Sequence, residues 1–154
     1  MRPTSDRVRE AIFNRLESLD LIQDTRVLDL FAGSGALGIE ALSRGAASAV
    51  FVDEDAAAIR AVKANLEALA LDARVHRTTA TRFIATTDDR FDLALLDPPY
   101  DFSDWQVLLG VLPADAAVIE SPEAVELPDG WVEVKASSYG RTHVAVVERT
   151  QAVP

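Results

Sequence analysis

Apolar residues near the start of the chain recur at Val8, Ile12, Phe13, Leu16 and Leu19. That spacing is one face of a 3.6-residue repeat, and Thr4 or Ser5 ahead of it can cap the helix it predicts. The period then changes. Thr25–Phe31 is a short apolar run of the kind that forms a buried strand. A glycine-rich turn follows, then a helix from about Ala36 to Ser43 that Arg44-Gly45 ends. Further strands are predicted at Ser48–Asp53, Arg74–Thr78, Phe91–Leu96 and Ala116–Glu120. An alanine-rich helix runs from Asp55 to about Leu69, and a short one spans about Ser103–Leu109. Pro122–Gly130 reads as a loop. Trp131–Ala136 and His143–Glu148 read as a closing antiparallel pair around Ser137-Ser138-Tyr139-Gly140. Strands alternating with helices predict an α/β fold, a mainly parallel sheet with helices on both faces and an antiparallel strand added at one side. No linker or repeat divides residues 1–154, so one domain is expected.

Composition narrows the function. Hydrophobic residues make up 49% of the 154, enough for a packed core, while 15 Lys+Arg against 25 Asp+Glu leave a net charge of -10. A basic footprint over the whole chain is therefore absent, although local patches can still meet nucleic acid. The chain has no cysteine, which removes disulfides, thiolate metal sites and Cys nucleophiles. His76 and His143 are isolated, so no metal site is expected. No apolar run reaches the ~18 residues of a membrane span, and no signal-peptide pattern opens the chain. A cytoplasmic monomer with no membrane partner is the expectation.

The chemistry concentrates where the Phe91–Leu96 run stops, at Asp97-Pro98-Pro99-Tyr100. Two prolines end the strand and donate no backbone hydrogen bond. They stiffen a loop at the carboxyl end of a strand, where open α/β sheets bind their ligands. A carboxylate and a free carbonyl can both accept N–H bonds from a planar amine, and a tyrosine can stack on the ring that bears it. The set suits chemistry on the exocyclic amino group of a base. The plainer alternative is a strand-ending turn with a core tyrosine.

Gly33-Ser34-Gly35-Ala36-Leu37-Gly38 matches G-x-G-x-x-G between a strand and a helix, with Asp53 at the end of the next strand. By itself this suggests a dinucleotide dehydrogenase. Asp29 argues otherwise, because a carboxylate just before the loop repels a pyrophosphate and attracts a cation. S-adenosylmethionine carries an ammonium and a sulfonium beside a carboxylate. Asp29 can receive the ammonium, directly or through water; the alternative is a helix-capping or turn acid. Loop N–H groups can take the ligand carboxylate, and Asp53 the ribose hydroxyls. The adenine is expected near Thr79-Ala80-Thr81, where a threonine, the backbone or packing on Phe83 must hold it; the alternative is strand-end capping. The expected donor-binding set is thus Asp29, Phe31, Ala32, Gly33, Ser34, Gly35, Asp53 and Glu54, with Thr79, Ala80, Thr81 and Asp97 completing it.

Three segments together, Arg2–Asn14, Val27–Ala41 and Asp97–Tyr100, resemble those of the RsmD-type 16S ribosomal RNA guanine-N2 methyltransferases, and the resemblance covers almost the whole chain. It implies a Rossmann-like class I methyltransferase fold, seven strands with one antiparallel. It also implies S-adenosylmethionine as donor and a guanine of small-subunit rRNA, free or in an assembling particle, as acceptor. Asp97 and the Pro98 carbonyl would hold the guanine amino group, Tyr100 would stack on the base, and Pro99 would complete the acceptor loop. The Arg2–Arg9 segment, with Thr4 and Arg7 as acceptor contacts, would lie near the donor and the acceptor pocket. Members of this family carry a basic β-hairpin ahead of the Arg-Pro-Thr segment, whereas here Arg2 follows Met1. The expectation is a catalytic core that binds the donor but docks rRNA weakly, and that gains affinity when a basic hairpin is restored.

Arg141, beside Gly140, is a further candidate RNA contact. For Arg7 and Arg9, candidate phosphate or acceptor contacts, the alternative is i,i+3 or i,i+4 pairing with Asp6 and Glu10 on a solvated helix face, the simpler reading for Arg9. Phe102 and Trp105 can wall the acceptor pocket or anchor a helix in the core. Two rival readings stand. A DNA adenine-N6 or cytosine-N4 methyltransferase could use the same Asp-Pro-Pro-Tyr. A noncatalytic ribosome-assembly factor could keep only the cofactor pocket.

Overall fold

The structure, a computed structural model, describes residues 5–150. Thr4 and the Arg2-Pro3 dipeptide lie outside the described residues. The elements follow in the order α1 (Asp6–Ser18), β1 (Arg26–Asp29), α2 (Ala36–Ser43), β2 (Ser48–Asp53), α3 (Ala56–Ala68) and β3 (Arg74–Arg77). Then come α4 (Ala80–Thr86), β4 (Phe91–Leu96), α5 (Trp105–Val111), β5 (Ala114–Ser121), β6 (Trp131–Tyr139) and β7 (Thr142–Arg149).

The strands form one seven-stranded sheet in the order β3-β2-β1-β4-β5-β7-β6. The pairs from β3 through β5 are parallel, and β7 runs antiparallel to both β5 and β6. One strand therefore opposes the rest, as the resemblance implied. From β1 the chain builds outward to β2 and β3, then returns to lay β4 and β5 on the other side. Connections thus diverge between β1 and β4, and the crevice at their carboxyl ends is where such sheets take ligands. The loop after Asp29 and the loop after Leu96 meet there.

Strand alternation divides the core in two. On one face Val27, Phe51, Leu93, Leu95 and Val118 pack under Phe13 and Leu16 of α1, Leu37 and Ala41 of α2, and Val62 and Leu66 of α3. On the other, Leu28, Val52, Leu96 and Ile119 pack against Phe83 of α4 and Trp105, Leu108 and Leu109 of α5. A polar corner closes the second layer. The Trp131 indole N–H donates to the Leu109 carbonyl at 2.9 Å. The Arg149 guanidinium lies 4.5 Å from the Trp131 ring centre and donates to the carbonyls of Ala114 and Leu112.

The helices begin where their caps allow. The Ser5 hydroxyl accepts the Val8 N–H at 3.3 Å, and Asp55 accepts the Ala57 N–H at 3.4 Å. Two local expectations are corrected. Helix α4 was not foreseen, because seven residues with Phe83 alone buried show no helical period. The closing strands also run further toward each other than the pattern suggested. Ser137 and Ser138 sit in the ladder opposite Val144 and His143. On an edge strand with a solvated face, polar residues pair without penalty. Only Gly140-Arg141 is left as the turn, with Gly140 at φ +62°, and Arg141 is thereby carried to the hairpin tip.

Candidate active site

Strand alternation sets acidic residues at the carboxyl edge of the sheet. Asp29, Asp53 and Glu120 share the face of Phe51, Leu95 and Val118. Because Leu96 pairs with Ile119 in parallel register, one further step sets Asp97 beside Glu120. Four adjacent strands, β2, β1, β4 and β5, thus each bring one carboxylate to the same edge.

Asp29 is 1% exposed. Its Oδ2 accepts the Gly38 N–H at 2.9 Å, an amide in the first turn of α2 that has no partner within the helix. Gly35, the N-cap of that helix, sits at φ 84° and offers no side chain for the purpose. The capping alternative is therefore realised for this oxygen. Burial pushes the Asp29 carboxyl up to about 8; the Gly38 hydrogen bond opposes this, and the charges of Asp97 and Asp53 add to it. Gly38 is glycine for a steric reason. A β-carbon there would stand 2.4 Å from the Phe51 ring and 3.0 Å from Asp29 Oδ2.

Asp53 is tied in similarly, with Oδ2 accepting the Gly33 N–H and Oδ1 the Asp55 N–H, both at 2.9 Å. A carboxylate has about four acceptor directions, so each oxygen keeps capacity for a ligand hydroxyl. The glycine loop is likewise held by the protein itself. Its Gly35 N–H donates to the Ala32 carbonyl at 2.8 Å, and the Ser34 carbonyl accepts from the Asn65 side chain at 2.9 Å. Fewer loop N–H groups are thus open to a ligand than the motif suggested.

Two cavities flank the 97–100 loop. The larger, about 430 Å³, is lined by Phe31, Gly33, Asp53, Glu54, Thr79, Ala80 and Thr81, all expected in the donor site. Leu30, Asp55, Ala58, Thr78, Pro99 and Phe102 complete its wall. The Phe31 and Phe102 rings meet edge-on at 5.6 Å. Asp29, Ala32, Ser34, Gly35 and Asp97 do not line this cavity. Ala32 is buried with its N–H on the Val52 carbonyl, and Ser34 is exposed. The Thr79 hydroxyl caps α4, accepting the Arg82 N–H at 3.1 Å. Phe83 packs in the core beside His76 and Phe91. The Thr78 hydroxyl, by contrast, is buried without a hydrogen-bond partner. A buried hydroxyl left so in a cavity wall is costly unless something else satisfies it. Thr78 directly precedes the Thr79-Ala80-Thr81 segment expected to hold the adenine.

The smaller cavity, about 200 Å³, is lined by Asp97, Pro98, Tyr100, Glu120, Ser121, Pro122, Arg141 and Thr142. It joins the Asp-Pro-Pro-Tyr loop to Arg141. Tyr100 is 72% exposed, which rules out a core tyrosine. Pro99, expected on the acceptor side, lines the larger cavity instead. Neither Phe102 nor Trp105 lines the smaller one. Trp105 is a buried anchor of α5, its ring centre 4.9 Å from that of Phe102. Glu120 was read only as a strand residue. Its signal, an acid ending an apolar run, is the one that Asp29, Asp53 and Asp97 also carry.

Arg9 pairs with Asp6 at 2.8 Å, the helix-face pairing expected of it, and also with Glu40 of α2 at 3.5 Å, a pair between helices that was not expected. Arg7 is exposed and forms no ion pair among the described residues; it lines neither cavity. No group of acidic, histidine or cysteine residues suited to a metal ion occurs among the described residues. No helix there is long and apolar enough to cross a membrane.

The seven-stranded sheet with its single reversed strand and flanking helices is the fold of class I methyltransferases. Residues 1–148 match the family described as "Conserved hypothetical protein 95", and the chain belongs to it, the family of the RsmD-type methyltransferases. It is 40% identical to the Bacillus subtilis protein YlbH over 163 residues, covering 96% of this chain and 88% of that one. With ribosomal RNA small subunit methyltransferase D of Haemophilus influenzae it shares 32% identity, over 91% of this chain and 79% of that enzyme. With the Escherichia coli K12 protein of the same name it shares 46% over 101 residues, which is 65% of this chain and 50% of that enzyme. The solved structure of Escherichia coli yhhF superposes with a TM-score of 0.86 at 32% identity, over 97% of this chain and 88% of that one.

Proposed function

We propose that this chain transfers a methyl group from S-adenosylmethionine to the exocyclic N2 of a guanine in small-subunit ribosomal RNA. One observation carries the reading. A single stiff loop separates a nucleoside-sized cavity, which Pro99 lines, from a smaller one lined by Asp97, Pro98 and Tyr100. Donor and acceptor can therefore meet across residues that themselves bear an acceptor carboxylate, a carbonyl and an aromatic ring.

The larger cavity fits the donor. Asp53 keeps acceptor capacity for a ribose diol, Phe31 and Phe102 supply apolar walls for a purine, and the Thr78 hydroxyl awaits a partner. The row of carboxylates favours a ligand of net positive character. Asp29, nearly fully buried, meets the ammonium through one water, and a cation there favours the carboxylate form that burial opposes. When bound, S-adenosylmethionine supplies an electrophilic methyl group.

The chain's own residues do the remainder. The lone pair of guanine N2 is delocalised into the ring, which makes it a poor nucleophile. N–H bonds accepted by Asp97 and the Pro98 carbonyl favour a pyramidal nitrogen and stabilise the positive charge that grows on it. The prolines hold both acceptors in place, so orientation supplies much of the acceleration. Asp97 takes the proton released from the methylated amine. Tyr100 stacks on a base that has left its helix, offsetting roughly 1–3 kcal/mol of that cost.

The test is incubation with labelled S-adenosylmethionine and unmethylated small ribosomal subunits, followed by identification of the labelled nucleoside. N2-methylguanosine at one position is the expected product. Labelled adenine or cytosine would point to the DNA-type rival, and donor binding with no transfer to any particle would favour the noncatalytic one.

A further inference from the structure

Among the described residues the buried polar and charged side chains are Asp29, Glu120 and Ser121. Asp29 serves α2 through Gly38. The Ser121 hydroxyl donates to the Glu123 carbonyl at 2.6 Å. Glu120 is 4% exposed and lines the smaller cavity, yet nothing in the proposed transfer step uses it. A buried acid on the wall of that cavity is placed to face what the cavity holds.

Its position defines what that ligand offers. Glu120 stands one strand over from Asp97, in the register that pairs Leu96 with Ile119. Beyond it, β7 pairs with the same strand, and the hairpin tip brings Arg141 to the cavity. Across the cavity floor the order is therefore acceptor, acceptor, donor: Asp97, Glu120, Arg141. The Watson–Crick edge of guanine carries the complement, an N2 amine, an N1–H and an O6. Adenine reverses the pattern, with a lone pair at N1 and an amine at position 6. Cytosine likewise has a lone pair where guanine has N1–H.

We infer that Glu120 is a specificity-determining residue that accepts the N1–H of the target guanine, with Arg141 donating to O6. This rests on the guanine reading above and explains how that base is chosen. Asp97 and Pro98 bind an exocyclic amine, which adenine and cytosine also possess. Glu120 rejects both, because its buried carboxylate would face a ring lone pair with no hydrogen between them.

The experiment uses small subunits reconstituted from ligated rRNA that carries guanine or 2,6-diaminopurine at the methylated position. Diaminopurine keeps the amine at C2 but has a lone pair at N1. Single-turnover transfer is compared for wild type, Glu120→Gln and Glu120→Asp, with S-adenosylhomocysteine affinity measured on each. Wild type is expected to favour guanine. Glu120→Gln, whose amide can donate to N1, should shift the guanine-to-diaminopurine ratio by about 10–100-fold toward diaminopurine, with cofactor affinity within about threefold. Glu120→Asp should keep the guanine preference at a reduced rate, and it carries the test if the glutamine variant does not fold. Loss of that preference in Glu120→Asp while it binds cofactor normally would count against the inference. An unchanged ratio in Glu120→Gln, or equal loss on both bases, would overturn it while leaving guanine methylation standing. Absence of N2-methylguanosine with wild type would overturn both.

Discussion

The two cavities on either side of the 97–100 loop are built by opposite means. On the larger side the acids are absorbed into the fold: Asp53 in the cavity wall holds Gly33 and Asp55, and Asp29, buried outside that wall, caps α2 through Gly38. On the smaller side Tyr100 stands 72% exposed and Arg141 rides a hairpin tip. A group that satisfies backbone amides supports stability and binding together. One that faces a cavity from a stiff loop can be removed with little effect on the fold. Changes on the larger side should therefore appear in unfolding experiments, and changes on the smaller side in turnover.

The largest expected effect is on the smaller side. Asp97→Ala should lower methyl transfer by about 10²–10³-fold, the usual cost of losing one group that stabilises transition-state charge. Donor affinity, read by calorimetry, should stay within a few-fold; near wild-type turnover would refute the assignment. Next is Gly38→Ala, where the new methyl collides with the fully buried Phe51 ring. Denaturant unfolding should show a loss of about 1–3 kcal/mol, as for other overpacked sites. Unaltered stability there would break the contrast between the two sides.

Tyr100→Ala should weaken acceptor use by roughly 1–3 kcal/mol with no change in melting temperature, because the ring is exposed. Tyr100→Phe should retain most of that affinity, since stacking needs the ring and not the hydroxyl. A drop in melting temperature for the alanine variant would mean that the ring supports the loop.

A further expectation concerns pH, where the sign of the change is the test. The Asp29 carboxyl is raised from 3.8 to about 8 in the folded chain, so the folded state holds a proton that the unfolded chain releases. The stability this confers is complete below about pH 4 and is lost as pH rises toward 8. Asp29→Asn can still accept from Gly38 and does not titrate. Its stability relative to wild type should therefore rise steadily between those limits. A constant difference across the range would show that Asp29 is not the titrating group.

Much of the fold was legible along the chain because helices and buried strands write their periods locally. Ser5 and Asp55 took their capping positions, and α2 ran over the residues its apolar pattern marked. Helix α4 was invisible because it is too short to repeat, and Thr79, its cap, had been read as a ligand contact. In the site, seven residues of the expected donor set do line one cavity, and Arg141 does meet the Asp97–Tyr100 loop. Glu120 ends an apolar run as Asp29, Asp53 and Asp97 do, but no motif beside it marks it for a ligand, and Thr78 has nothing in its neighbours to distinguish it from an ordinary strand-end residue.

The chain's linear pattern by itself determined the alternation of strands and helices, the stiff Asp-Pro-Pro-Tyr loop and the acids that end the apolar runs, since each depends only on nearby residues. Tertiary structure decided which of those acids share one crevice. Asp97 and Glu120 become neighbours only through the parallel register of β4 on β5, and Arg141 reaches them only because β7 is inserted antiparallel beside β5. Register between distant strands is set by matching whole apolar faces across the sheet, and no stretch of sequence read alone contains that match.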